Sequence, residues 1–193
     1  MPSPSVLAFA GSARRDSVNK RLIRCAAREV EAAGARVTLV DLADYPMPVY
    51  NGDLEEQESL PDATARLRDL LLDHQGLLLA CPEYNSAITP LLKNTIDWTT
   101  RSPGGGGDLD CYQGKVVSLL SASPGALGGL RGLVTVRSIL GNIGCLVLPQ
   151  QLAVSKADRA FDESGNLGDE ATVRRLRGQM EGLVATLNRL AAE

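Results

Sequence analysis

Histidine occurs once, at position 74, and the four cysteines at 25, 81, 111 and 145 form no C-x-x-C pair. With so few thiolate and imidazole ligands, no transition-metal centre, thioredoxin-type motif or disulfide framework is expected. No apolar run approaches the roughly 20 residues needed to cross a bilayer. The opening Met-Pro-Ser-Pro-Ser has no basic region followed by an apolar stretch, so no secretory signal is read there. Neither sign of charge dominates: the formal net charge is -3, and nothing draws the whole chain to nucleic acid or anionic lipid. The sequence also lacks both G-x-G-x-x-G and Gly-Lys-Ser/Thr, which removes the dinucleotide fingerprint and the ATP-type phosphate loop. The expectation is a soluble, cytoplasmic protein with no nucleic-acid or membrane partner.

What is present is an alternation. Five short apolar runs read as strands: Val6–Ala10, Val37–Val40, Leu77–Cys81, Val116–Leu120 and Leu146–Leu148. They are nearly continuous rather than alternating, as in strands buried on both faces of a parallel sheet. Between and after them lie helical segments at Lys20–Ala33, Asp62–Asp73, Leu91–Thr100, Arg131–Asn142 and Glu170–Ala192. Strand alternating with helix predicts βαβ units. The chain is read as one α/β domain over residues 1–193, a flavodoxin-like three-layer sandwich with a five-stranded parallel sheet in the order 2-1-3-4-5. In that architecture ligands bind outside the carboxyl ends of the strands, near the switch in strand order. The loops after strands one, three and four therefore matter most.

The first of these runs Gly11-Ser12-Ala13-Arg14-Arg15-Asp16-Ser17-Val18-Asn19. It joins a strand to a helix, where free backbone N–H groups and the helix dipole favour an anion. Ser12 and Ser17 add hydroxyls, Asn19 an amide and Arg14 a fixed positive charge, a set suited to a phosphate monoester. The plain alternative is that Ser17 only caps the helix and the arginines are solvated. Strand one lacks the acidic cluster of a phosphate-accepting receiver domain. Among nucleotide readings, an FMN phosphate site survives where an ATP site does not.

The second loop opens with Pro82-Glu83-Tyr84-Asn85 and leads into Leu92-Lys93-Asn94-Thr95-Ile96-Asp97-Trp98. Tyr84 can wall a flat ring, while Asn85 and nearby backbone N–H groups can address its polar edge. A turn with a buried tyrosine is the bland reading. The third loop holds Ser121, Ser123, Gly125 and further glycines, which let backbone approach a ring closely. Ser-Pro-Gly is also turn chemistry anywhere.

Taken together, the loops resemble the NADPH-dependent FMN reductase family. Its phosphate loop has the form G-S-x-R-x-x-S-x-N-x-x-L, met here by Gly11, Ser12, Arg14, Ser17, Asn19 and Leu22. Its second signature, P-E-Y-N followed by L-K-N-x-x-D-W, is met by Pro82–Asn85 and Leu92–Trp98. One departure is Thr89-Pro90-Leu91, where many relatives place Pro-Gly before the Leu-Lys-Asn. The resemblance implies bound FMN held by Gly11, Ser12, Arg14, Ser17, Val18, Asn19, Pro82, Glu83, Tyr84, Asn85, Ser121, Ser123 and Gly125. It also implies NADPH or NADH as co-substrate and a small electron acceptor such as a quinone, azo compound, chromate or free flavin. A homodimer or homotetramer is implied as well.

No side-chain base is required, so Glu83 is not read as catalytic. Lys93 and Asn94 are read as orienting the loop before them, Trp98 as core or interface, and His74 as a surface residue. Pro103–Gly107 is read as a mobile loop. Rival readings are a flavodoxin-like electron carrier and a non-catalytic flavin-binding regulator; the arginine in the phosphate loop and the small net charge speak against the carrier.

Overall fold

Alternate residues of β1 (Ser5–Ala10) supply two different cores. Val6, Ala8 and Ala10 pack on one face of the sheet, Leu7 and Phe9 on the other. The structure is a computed structural model and describes residues 3–192. Its parallel sheet also contains β2 (Arg36–Asp41), β3 (Gly76–Ala80), β6 (Val116–Ala122) and β7 (Leu146–Val154). The order is β2-β1-β3-β6-β7, which is 2-1-3-4-5 among these five strands, as expected. A separate two-stranded ribbon is formed by β4 (Glu83–Tyr84) and β5 (Ala87–Ile88).

One face of the sheet is covered by α1 (Val18–Ala32) and α6 (Glu170–Leu190). The other carries α3 (Asp62–Asp73), α4 (Pro90–Thr99) and α5 (Leu130–Asn142). The helices form where apolar residues recur at helical spacing, as in Leu176, Met180, Leu183, Val184 and Leu187 of α6, all buried. No helix is long and apolar enough to cross a membrane, among the described residues.

Three features depart from the sequence reading. His74 is buried, not on the surface: its ring lies between the Leu70 carbonyl at 2.6 Å and Thr38 Oγ1 at 2.7 Å. A C-cap position beside a neighbouring strand offers both partners, which local sequence cannot reveal. The last strand runs six residues beyond Leu148, because a register shift carries β7 past Pro149. As an edge strand, it tolerates a residue without an N–H. Finally, a short helix α2 (Gly52–Glu58) and the β4–β5 ribbon occupy segments read as loop.

The switch in strand order lies between β1 and β3, with β6 on the far side of β3. The loops after these three strands therefore emerge side by side.

Candidate functional site

At the end of β1, Gly11 is squeezed between neighbouring elements. A Cβ there would lie 2.9 Å from Leu92 Cβ and 3.3 Å from Pro82 Cδ. Its N–H donates to the Ala80 carbonyl at 2.9 Å, and its own carbonyl accepts from Thr89 Oγ1 at 2.9 Å. Thr89 also caps α4 by accepting from Leu92 N–H, so one residue ties the first loop to the second.

Ser17 caps α1 by accepting from Asn19 N–H at 3.2 Å, and Ser12 Oγ accepts from Arg14 N–H at 3.3 Å. The N–H groups of Asp16, Ser17 and Val18 find no acceptor among the described residues. Arg14 is exposed and makes no ion pair among them. The loop thus offers a cation, two hydroxyls and unsatisfied N–H donors at the positive end of a 15-residue helix.

Asn19 faces the other way. Its Nδ2 donates to the Ala122 carbonyl and its Oδ1 accepts from Ala122 N–H, both at 2.9 Å and buried. Its amide mimics a strand partner, riveting the start of α1 to the end of β6. Both ends of the amide are thereby engaged within the protein.

In the second loop, Asn85 and Ser86 have φ of 51° and 67°, so both central residues of the β4–β5 turn are left-handed. Two-residue hairpins favour this conformation. It leaves the Tyr84 side chain half exposed. Glu83 is turned toward α5: it accepts from Gly132 N–H at 2.9 Å and from Arg131 at 3.2–3.3 Å. The N-cap of α5 is Gly129, which has no side chain to cap with, and Glu83 fills that role from a distant loop.

Ser121 is buried and donates to the Cys81 carbonyl at 2.7 Å. Gly129 passes directly over it, where a Cβ would fall 1.9 Å from Ser121 Oγ. Ser123 accepts from Gly125 N–H at 3.2 Å. Burial pushes the Cys81 thiol far up, so this cysteine beside the second loop is an inert wall rather than a nucleophile.

The loops enclose a cleft of about 220 Å³. Ser12, Arg14, Ser17, Val18 and Asn19 line it from the first loop, Pro82, Glu83 and Tyr84 from the second, and Ser123 from the third. Gly11, Asn85, Ser121 and Gly125 do not line it; Gly11 and Ser121 instead hold its walls together. Ala122 and Pro124, which flank Ser123 in the third loop, complete the lining together with Asp158, which sequence reasoning missed. Asp158 follows the last strand, beyond the extent read for it, so no sequence signal pointed there.

The second half of the P-E-Y-N…L-K-N-x-x-D-W pattern has a different task from the one expected. Asn94 accepts from Tyr50 N–H and donates to the Pro48 carbonyl, both at 2.8 Å, and Trp98 Nε1 donates to the same carbonyl at 2.7 Å. Tyr50 stacks edge-on against Trp98 with centroids 5.0 Å apart. Asn94 therefore orients the segment after β2, not the loop before α4. Lys93 pairs with Asp97 one turn on. The glycine stretch closes as a turn bridged between Arg101 and Gly107.

The sequence profile of the NADPH-dependent FMN reductase family matches residues 4–159. The chain belongs to that family. It is an oxidoreductase with FMN as cofactor and NAD(P)H as co-substrate. A quinone reductase of Pseudomonas putida is 32% identical over 168 residues, covering 86% of each chain. A probable NADPH:quinone oxidoreductase 2 of Oryza sativa subsp. japonica is 32% identical over 189 residues, covering 96% of this chain and 89% of its own. Among solved structures, FerB of Paracoccus denitrificans, a flavoenzyme NAD(P)H:(acceptor) oxidoreductase, superposes with a TM-score of 0.81 at 26% identity, covering 96% of this chain and 98% of that one. The residues present fit FMN: the donor set on the first loop suits a phosphate monoester, and the half-exposed Tyr84 at the cleft suits a flat ring.

Proposed function

We propose that this protein passes reducing equivalents from NAD(P)H through FMN to a quinone-class acceptor, and that residues 1–193 act as one unit. The observation that carries the reading is the convergence of three loops on one cleft, with Arg14, two hydroxyls and open N–H groups from the first loop and Tyr84 from the second. Bound FMN supplies the two-electron chemistry. Arg14, Ser12, Ser17 and the N–H groups of Asp16, Ser17 and Val18 hold its phosphate, with Gly11 allowing their loop to pack closely. Asn19 serves this site by fixing α1 against β6. Pro82 and Tyr84 flank the ring, Asn85 forms the turn beyond Tyr84, and Glu83 sets their position. Ser121 supports the third loop, while Ser123, held by the Gly125 N–H, meets the ring edge.

The quinone class is favoured over azo compounds, chromate and free flavin because the bacterial and plant relatives are named as quinone reductases. Leu127, Leu130 and Val134 are exposed on and just before α5, which supports assembly as a homodimer or homotetramer. The test is identification of the flavin released on heating, followed by steady-state NAD(P)H oxidation with a benzoquinone. FMN release with quinone-dependent turnover supports the reading; a protein that neither carries nor takes up FMN overturns it.

A further inference from the structure

Beyond the third loop lies a second groove, of about 330 Å³, between the end of β7 and the start of α6. Lys156, Arg159 and Arg175 line it, and none of them pairs with a carboxylate among the described residues, although eight other cations do. The turn presenting two of them is specific. Lys156 has φ of 49°, a left-handed conformation unusual for a side chain of this kind, and its carbonyl accepts from Arg159 N–H at 3.1 Å. Lys156 and Arg159 thus line the groove from the turn after β7, and Arg175 lines it from α6. The one carboxylate in the groove, Asp169, is already engaged: it caps α6, accepting from Thr172 N–H at 2.8 Å and Thr172 Oγ1 at 2.7 Å.

The groove and the cofactor cleft share a wall. Lys156 N–H donates to the Gly125 carbonyl and Ala157 N–H to the Ser123 carbonyl, while Asp158, between Lys156 and Arg159, lines the cleft. Three unpaired cations on a chain of net charge -3 concentrate positive potential next to that cleft.

We infer that this groove binds the 2′-phosphate of the adenosine half of NADPH, and that Lys156, Arg159 and Arg175 make the enzyme prefer NADPH over NADH. This rests on the hydride-donor reading above. A phosphate monoester carries about -1.5 to -2 charge at neutral pH, which calls for more than one cation, and arginine suits it through paired N–H donors. NADH has a neutral hydroxyl at the same place and gains nothing from the three cations.

The test compares wild type with K156A/R159A/R175A, both loaded with FMN. Calorimetry with adenosine 2′,5′-bisphosphate and with 5′-AMP reads the site without turnover. The expected result is binding of the bisphosphate at least tenfold tighter than 5′-AMP in wild type, with that advantage lost in the variant. In steady state, the ratio of kcat/KM for NADPH to that for NADH should fall at least tenfold. Equal losses for both nucleotides, or an unchanged preference for the bisphosphate, would overturn the inference. Should neither nucleotide be oxidised, the functional reading fails by itself, and the calorimetric comparison still decides the phosphate site.

Discussion

The carboxylate of Glu83 accepts a hydrogen bond from the Gly132 backbone N–H at 2.9 Å, joining the second loop to the start of α5. A Cβ on Gly132 would stand 3.2 Å from Glu83 Cβ, so the contact is close because that residue is glycine. Glu83 thereby performs from another loop what a serine at the N-cap would do locally. Glu83→Ala should lose about 1 kcal/mol of stability, a fall in Tm of about 2–4 °C, and should weaken FMN binding. Glu83→Gln keeps an acceptor and should recover most of both. Thermal melts with and without FMN check this; a Gln variant as impaired as Ala would show that capping is not the role.

Arg14 and Asn19 stand five residues apart in one motif and should fail in different ways. The exposed Arg14 side chain makes no hydrogen bond or ion pair among the described residues, so Arg14→Ala should leave the apoprotein as stable as wild type while weakening FMN binding about tenfold or more. Asn19→Ala orphans the buried N–H and C=O of Ala122 and should destabilise the apoprotein by about 2–4 kcal/mol. Urea denaturation of both apoproteins and flavin fluorescence titration separate the two effects.

Glu55 predicts a pH dependence. Arg101 donates to both of its oxygens at 2.9 Å and Tyr50 to one at 3.0 Å. The arginine holds the Glu55 carboxyl below its ordinary value, outweighing burial, which pushes it up. The folded-state value is depressed, so this stabilisation is complete above the unfolded value of about 4.3 and is lost as pH falls through the folded one. Glu55→Gln should lower stability at pH near 7 and narrow the gap to wild type as pH approaches about 3. Urea midpoints across that range provide the measurement; a constant gap would contradict the ion pair's contribution.

The cysteines should be silent in the native state. Burial raises the thiols of Cys81, Cys111 and Cys145, the last two to about 11 and about 12. A thiol-reactive dye at neutral pH should label none of these three rapidly, and all four cysteines once the chain is unfolded in urea. Fast native labelling of Cys81 would mean that the wall beside the second loop opens.

The order of strands and helices, and the three loops that build the cleft, were legible in the chain itself. Continuous apolar runs mark the strands, although only β1, β3 and β6 are buried on both faces while the edge strands β2 and β7 are partly exposed. Gly, Ser, Arg and Asn at fixed spacing mark the strand-to-helix loop. Both signals depend on residues near one another in sequence. The direction in which each polar side chain turns was not legible. Asn19 and Glu83 both read as groups facing a cofactor, yet one bonds Ala122, 103 residues away, and the other Gly132, 49 residues away. His74 read as exposed for the same reason: its partner Thr38 comes from the neighbouring edge strand. Asn94 read as a local support and instead grips Pro48 and Tyr50. The sequence by itself determined the fold, the family and the three loops that meet at the cleft, because periodicity and turn chemistry are local. Only the tertiary structure decided which polar groups face the cleft and which rivet its walls, since a buried donor or acceptor must be matched by whatever group the fold brings to it.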